Sequence, residues 1–136
     1  MAANWSPDEL DEVSRAEELQ IATRRTDGTL RSWVPIWVVC VDGQVYVRTW
    51  LRRDRGWFGQ AVDSRRARIR VPGVEIDVTI DDVGVGPGGL RAGVDAAYRA
   101  KYERYSDATV DRMVNDDAAA STLQLVPGQD RESPSA

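Results

Sequence analysis

Histidine is absent from the 136 residues, and cysteine occurs once, at Cys40. Without histidine there is no imidazole to ligate zinc, to serve a Ser-His-Asp triad or to activate a thiol. One cysteine cannot build a disulfide scaffold. Lysine is nearly as scarce, with Lys101 the single one beside 17 arginines. The longest apolar run, Trp33 to Val41, is far shorter than a membrane span, and no signal peptide precedes the first acidic turn. These absences point to a soluble, cytoplasmic chain with Cys40 reduced. What is present, 42% hydrophobic and 29% charged residues, suffices for one domain with a core and is too little for two comfortable ones.

The formal net charge of −4 is unevenly distributed. Residues 1–20 hold six acids and one base, whereas residues 48–70 hold eight arginines against Asp54 and Asp63. An acidic chain therefore contains a basic segment. Arginine is the planar, bidentate partner of carboxylate and phosphate, although a GC-rich genome produces the same bias.

Ser6-Pro7-Asp8-Glu9 is a capping-box pattern with proline at the first helical position, so a short acidic helix opens the fold. Three β-rich runs follow, Leu19 to Arg25, Leu30 to Val41 and Gln44 to Trp50, separated by Asp27-Gly28 and Asp42-Gly43. Asp-Gly between such runs signals a two-residue hairpin turn. That register pairs Thr26 with Thr29, Ile21 with Val34, Leu19 with Ile36, Val41 with Gln44, Val39 with Tyr46 and Trp37 with Arg48. One face then collects Leu19, Ile21, Val34, Ile36, Val38, Cys40, Val45 and Val47, a core face. The other carries Arg24, Arg31, Trp33, Pro35, Trp37, Tyr46, Arg48, Trp50 and Arg52, which is neither ordinary core nor ordinary surface.

Arg55 to Arg65 reads as a short helix burying Trp57, Ala61 and Val62. Arg66–Val71 and Val74–Ile80 alternate around Pro72-Gly73, with Arg68 opposite Asp77 and Arg70 opposite Glu75 as cross-strand ion pairs. Leu90 to Tyr105 is a helix with Tyr98, Tyr102 and Tyr105 on one face. Asp107 to Asp117 is ambiguous, Thr122 to Val126 is a last strand, and residues 128–136 form a flexible polar tail. Six strands with one helix inserted after the third imply a mostly β, α+β chain: a small antiparallel barrel with flanking helices.

Several signals have an ordinary reading. Gly84-Val85-Gly86-Pro87-Gly88-Gly89 fits the dinucleotide fingerprint, but antiparallel hairpins precede it and Pro87 lacks an amide proton. It reads as a loop. The acidic balance argues against nucleic acid, and Cys40 on the core face reads as inert. The tyrosine stripe is either core or a source of substrate-orienting proton donors. The tryptophan–arginine face is either packed, under a helix or across a homodimer, or a site for a phosphorylated aromatic cofactor. Flat rings followed at once by Arg48, Thr49, Arg52 and Arg53 favour the cofactor.

The segments Leu19-Gln20-Ile21-Ala22, Asp27-Gly28-Thr29-Leu30-Arg31, Val34-Pro35-Ile36-Trp37-Val38-Val39, Ala97-Tyr98-Arg99-Ala100-Lys101-Tyr102 and Thr122-Leu123-Gln124-Leu125 make residues 5 to 127 resemble a bacterial family known as domain of unknown function 2255. More distantly, the order of elements resembles the split β-barrel of flavin- and deazaflavin-binding proteins, including deazaflavin-dependent nitroreductases and pyridoxamine phosphate oxidase-like proteins. The resemblance implies one split-barrel domain over 1–127, binding FMN or a deazaflavin coenzyme and acting as an oxidoreductase on a small organic substrate. By position it assigns Trp37, Arg48, Thr49, Trp50, Arg52, Arg53 and Trp57 to the cofactor, and Tyr98, Tyr102 and Tyr105 to catalysis. This sequence departs from those families in the arginines between Leu51 and Gly56 and in lacking a Ser-Arg-Lys phosphate motif. The alternative is a cofactor-free module, or a lyase or cyclase, taking a small anionic or aromatic metabolite.

Overall fold

A computed structural model describes residues 5–49, 56–84, 86, 88–105 and 107–127. The expected tail at 128–136 lies outside them. Helix α1 spans Pro7–Arg15 and closes with the full capping box, Ser6 Oγ accepting from the Glu9 amide while the Glu9 carboxylate accepts from the Ser6 amide. Strands β1 (Leu19–Thr23), β2 (Val34–Ile36), β3 (Val39–Val41) and β4 (Gln44–Val47) come next. After them run α2 (Gly56–Ser64), β5 (Arg66–Val71), β6 (Val74–Asp82), α3 (Leu90–Lys101), α4 (Asp107–Val114), α5 (Asp116–Ala120) and β7 (Leu123–Pro127).

All seven strands join one antiparallel sheet in the order β2-β1-β5-β6-β7-β4-β3. The first and last strands of that order are separated in the chain only by Trp37 and Val38, so the sheet curls until its two edges meet. The continuous strand expected over Leu30 to Val41 is therefore two, each pairing a different neighbour: β2 with β1 and β3 with β4. At the corner the Val38 amide and carbonyl fall outside both ladders. The Tyr102 hydroxyl accepts from the Val38 amide at 3.0 Å, and Lys101 Nζ donates to the Val38 carbonyl at 2.8 Å. These two side chains at the C-terminal end of α3 satisfy backbone groups that a sheet would otherwise pair.

The second turn is as expected, with Asp42 and Gly43 both at positive φ and Val41 opposite Gln44. The first is not. Only Gly28 has positive φ there, Arg25 bonds Thr29 across a three-residue loop, and the bridge falls at Arg24–Leu30 rather than at Thr26–Thr29. An irregular stretch at 31–33 absorbs the extra residue, which restores Ile21 opposite Val34 and Leu19 opposite Ile36. The Pro72-Gly73 hairpin keeps the expected register, but Arg68 binds both Glu75 (2.8 Å) and Asp77 (3.0 Å). Arg70 turns instead to Gln20 and stacks on Trp33.

Two apolar clusters result. The larger fills the barrel with Leu19, Ile21, Ile36, Val38, Val45 and Val47 from the expected core face, joined by Ile69, Ile80, Leu123 and Leu125. Val34 and Cys40 pack at its margin. The smaller lies outside the sheet, between Val39 and Tyr46 and the helices α3 and α4, and contains Tyr98 and Tyr102. The Gly84–Gly89 segment joins an antiparallel strand to α3, so no parallel βαβ crossover supports it as a dinucleotide loop.

Candidate functional site

Arg48 stands one residue past β4, its side chain fully withdrawn from solvent. Burial of a guanidinium requires partners. Its Nη1 donates to Asp95 Oδ1 at 2.6 Å and to the Met113 carbonyl at 2.8 Å, and its Nε donates to Thr122 Oγ1 at 2.8 Å. Three elements are thereby tied together: α3 through Asp95, α4 through Met113, and the start of β7 through Thr122. The Thr49 amide donates to Ser121 Oγ, which pins the chain beyond β4 to the α5–β7 junction. Arg48 Nη2 is buried with no hydrogen-bond partner.

Beside this hub lies a cleft of about 360 Å³. Trp37 from the β2–β3 corner, Trp57 from the first turn of α2, and Arg48 and Thr49 all line it. Val34, Ile36 and Met113 supply apolar wall, while Glu18 and Arg112 bring one charge of each sign. The volume lies at the lower end of the range for small-molecule sites, about 300–1,000 Å³. Two indoles beside an apolar wall suit a flat, largely aromatic ligand.

The orientation of Trp37 is fixed from behind. Tyr102 stacks on it with ring centroids 3.9 Å apart and planes within 2°, and Tyr105 tilts against it at 5.0 Å. Tyr102 is held in turn by its hydroxyl, which donates to the Glu17 carbonyl at 2.7 Å. Trp57 meets Phe58 edge to face at 5.8 Å.

Of the residues expected at a cofactor, Trp37, Arg48, Thr49 and Trp57 thus surround one cleft. Trp50, Arg52 and Arg53 lie outside the described residues. The Arg48 charge is met internally by Asp95, which sets the guanidinium in the wall rather than leaving it as a phosphate anchor. The three tyrosines are not among the residues lining the cleft. Tyr98 is wholly buried, its hydroxyl approaching the Arg48 main chain without completing a hydrogen bond. Burial pushes its pKa far above the ordinary phenol range. The same cause raises Tyr102. Tyr105, hydrogen-bonded to the Glu17 carboxylate, is raised chiefly by that bond. Phenols so shifted stay protonated, and Tyr102 acts on the cleft by positioning Trp37.

Asp95, Thr122, Ser121, Glu18 and Arg112 were missed by sequence reasoning. Asp95 lies 47 residues from its arginine and Thr122 lies 74 away, so no local pattern marks either. Among the described residues no cluster of acids, histidines or cysteines can hold a metal ion, and no helix is long and apolar enough to cross a membrane.

Solved structures share this fold at low identity. The heme-storage protein HutZ from Vibrio cholerae aligns with a TM-score of 0.61 at 13% identity, over 95% of this chain and 92% of that one. A conserved hypothetical protein from Mycobacterium tuberculosis gives 0.58 at 16%, over 92% and 81%. An FAD-binding protein from Mesorhizobium loti gives 0.57 at 14%, over 95% and 94%. These likenesses establish the split β-barrel fold. No curated protein matches the chain. Residues 9–125 match the family model DUF2255, described as an uncharacterized protein conserved in bacteria, and the chain belongs to that family.

Proposed function

We propose that the cleft between Trp37 and Trp57 binds the ring system of a flavin-class coenzyme, FMN or a deazaflavin, and that the chain is an oxidoreductase acting on a small organic substrate. The observation that carries this reading is the pair of indoles lining one 360 Å³ cleft, one of them locked flat by Tyr102. A tricyclic ring needs an aromatic surface of fixed orientation, and prior ordering of Trp37 lowers the entropy lost on binding. The residues present fit the ring: Trp37 and Trp57 would hold it, with Thr49 and Arg112 among the polar lining. A bound flavin supplies hydride chemistry, and the protein supplies binding, orientation and exclusion of water. Structural neighbours described as an FAD-binding protein and a heme-storage protein support this reading.

Titration of the purified chain with FMN and, separately, with a deazaflavin coenzyme tests this through tryptophan fluorescence. Saturable quenching by one of them is expected, weakened about tenfold in Trp57→Ala, in line with the loss of one aromatic contact. Absence of quenching by either overturns the reading. The internal Arg48–Asp95 pair favours one further reading, a cofactor-free module for a flat aromatic metabolite, because it leaves no phosphate anchor at Arg48. That module would quench with unphosphorylated aromatic acids and not with FMN.

A further inference from the structure

Helix α2 contributes to a second cleft through Gln60, Asp63 and Ser64. This cleft, about 380 Å³, shares no lining residue with the first. Four arginines surround it: Arg24 and Arg25 from the end of β1 and the following turn, Arg31 from the return of that hairpin, and Arg66 from the start of β5. Asp63 is the one carboxylate in the lining.

The guanidiniums are oriented more than they are neutralised. Arg24 Nη1 donates to the Gly28 carbonyl at 2.6 Å and Arg25 Nη1 to the Leu30 carbonyl at 2.9 Å, contacts that fix direction without cancelling charge. Arg24 also forms an ion pair with Asp77 at 2.7 Å, and Arg25 lies within Coulombic reach of Asp27 without pairing to it. Arg31 and Arg66 make no ion pair with any described residue, and Arg31 Nε is buried with no hydrogen-bond partner. An unpartnered buried donor is costly and calls for something else to satisfy it. Ser64 Oγ accepts from the Arg66 amide and donates to the Arg66 carbonyl, which sets the start of β5 against the helix end. Gln60 accepts from Thr23 through Oε1, so its amide group adds donors to a lining already rich in them.

From this excess of donors over acceptors, two of the four guanidiniums being held by backbone carbonyls, we infer that the cleft binds a small phosphoryl anion, a diphosphate or the phosphate of a small metabolite. Such a group presents several acceptor oxygens to planar guanidiniums and forms bidentate, charge-assisted bonds with them. The overall charge of −4 disfavours a long polyanion at the same place.

Calorimetric titration of the full chain with pyrophosphate at low ionic strength tests the site. One saturable site is expected, with affinity reduced about tenfold in Arg31→Gln, the loss expected for one charge-assisted bond. A comparable reduction is expected in Arg66→Gln, an exposed position whose side chain makes no tertiary bond, so that folding is unaffected. Arg99→Gln, whose guanidinium pairs with Asp111 elsewhere on the surface, is expected to bind as the parent does. Glycerol phosphate in a parallel titration separates the sources: tighter binding than pyrophosphate assigns a phosphorylated metabolite, weaker binding a free diphosphate. No saturable heat with either ion, or an equal loss in Arg99→Gln, overturns the inference. Because the two clefts share no residue, flavin quenching in Arg66→Gln is expected to stay at the parent level whatever the fate of this site.

Discussion

Removing the Asp95 carboxylate leaves the Arg48 guanidinium buried beside Thr122 and the Met113 carbonyl without a counter-charge. Stranding one partner of a buried pair costs several kcal/mol, and Asp95 is itself a quarter exposed. Asp95→Ala is therefore expected to lose about 2–3 kcal/mol in urea unfolding, and Asp95→Asn, which keeps an acceptor, less. Lys101 gives a pH dependence of its own. Desolvation lowers its pKa from 10.5 to about 8 while Nζ stays bonded to the Val13 and Val38 carbonyls. Between pH 8 and 10.5 the unfolded chain thus holds more protons on this group than the folded one, and stability rises with pH across that window. Below pH 8 both states are charged and the burial penalty is complete. Unfolding measured at pH 7.5 and 10 should show the parent gaining on Lys101→Met as pH rises, and an unchanged difference would contradict the assignment. Neither residue's part is legible locally. The alternation of tryptophan and arginine marks Arg48 as unusual, but its role depends on Asp95 and Thr122, which only the curled sheet and its helices bring near.

At the scale of elements, helix α1, the Asp42-Gly43 turn, α2, β5, β6 and β7 are readable because capping, turn chemistry and alternation are local. The corner at Trp37-Val38 is not, because Trp33 to Val41 is one unbroken apolar run with no turn residue at the corner. What divides the run is the choice of partner, with β1 on one side and β4 on the other, and the Tyr102 hydroxyl that replaces the missing ladder bonds. Tyr102→Phe keeps the ring against Trp37 and strands the Val38 amide. It is expected to cost about 1–3 kcal/mol and to speed hydrogen exchange at Val38 specifically, and unchanged exchange there would count against the corner as described. The first hairpin shows a second limit. Asp27-Gly28 is the same dipeptide as Asp42-Gly43, yet it closes a three-residue loop, and the irregular stretch at 31–33 compensates so that the core register survives.

At the scale of the molecule, the expected curled antiparallel sheet is present with seven strands in place of six, and the cleft lies beside its β2–β3 corner. Trp37, Arg48, Thr49 and Trp57 meet there because the sheet's two edges converge at the corner and α2 enters after β4. The basic character of residues 48–70, conspicuous in the sequence, separates into distinct uses: Arg48 as an internal tie, Arg68 as a cross-strand pair, Arg70 on Trp33, and Arg66 in the arginine cleft. The central claim is that two particular tryptophans receive the ring of a flavin-class ligand. Indole N–H resonances of an isotopically labelled sample, followed while FMN or the deazaflavin is added, test it most directly. Trp37 and Trp57 are predicted to shift with a common saturation curve, while Trp5, whose Nε1 is bonded to the Leu125 carbonyl inside the barrel, and Trp33, stacked under Arg70, stay in place. Saturable shifts at Trp33 with Trp37 and Trp57 unmoved, or no shift at any indole, would contradict the account.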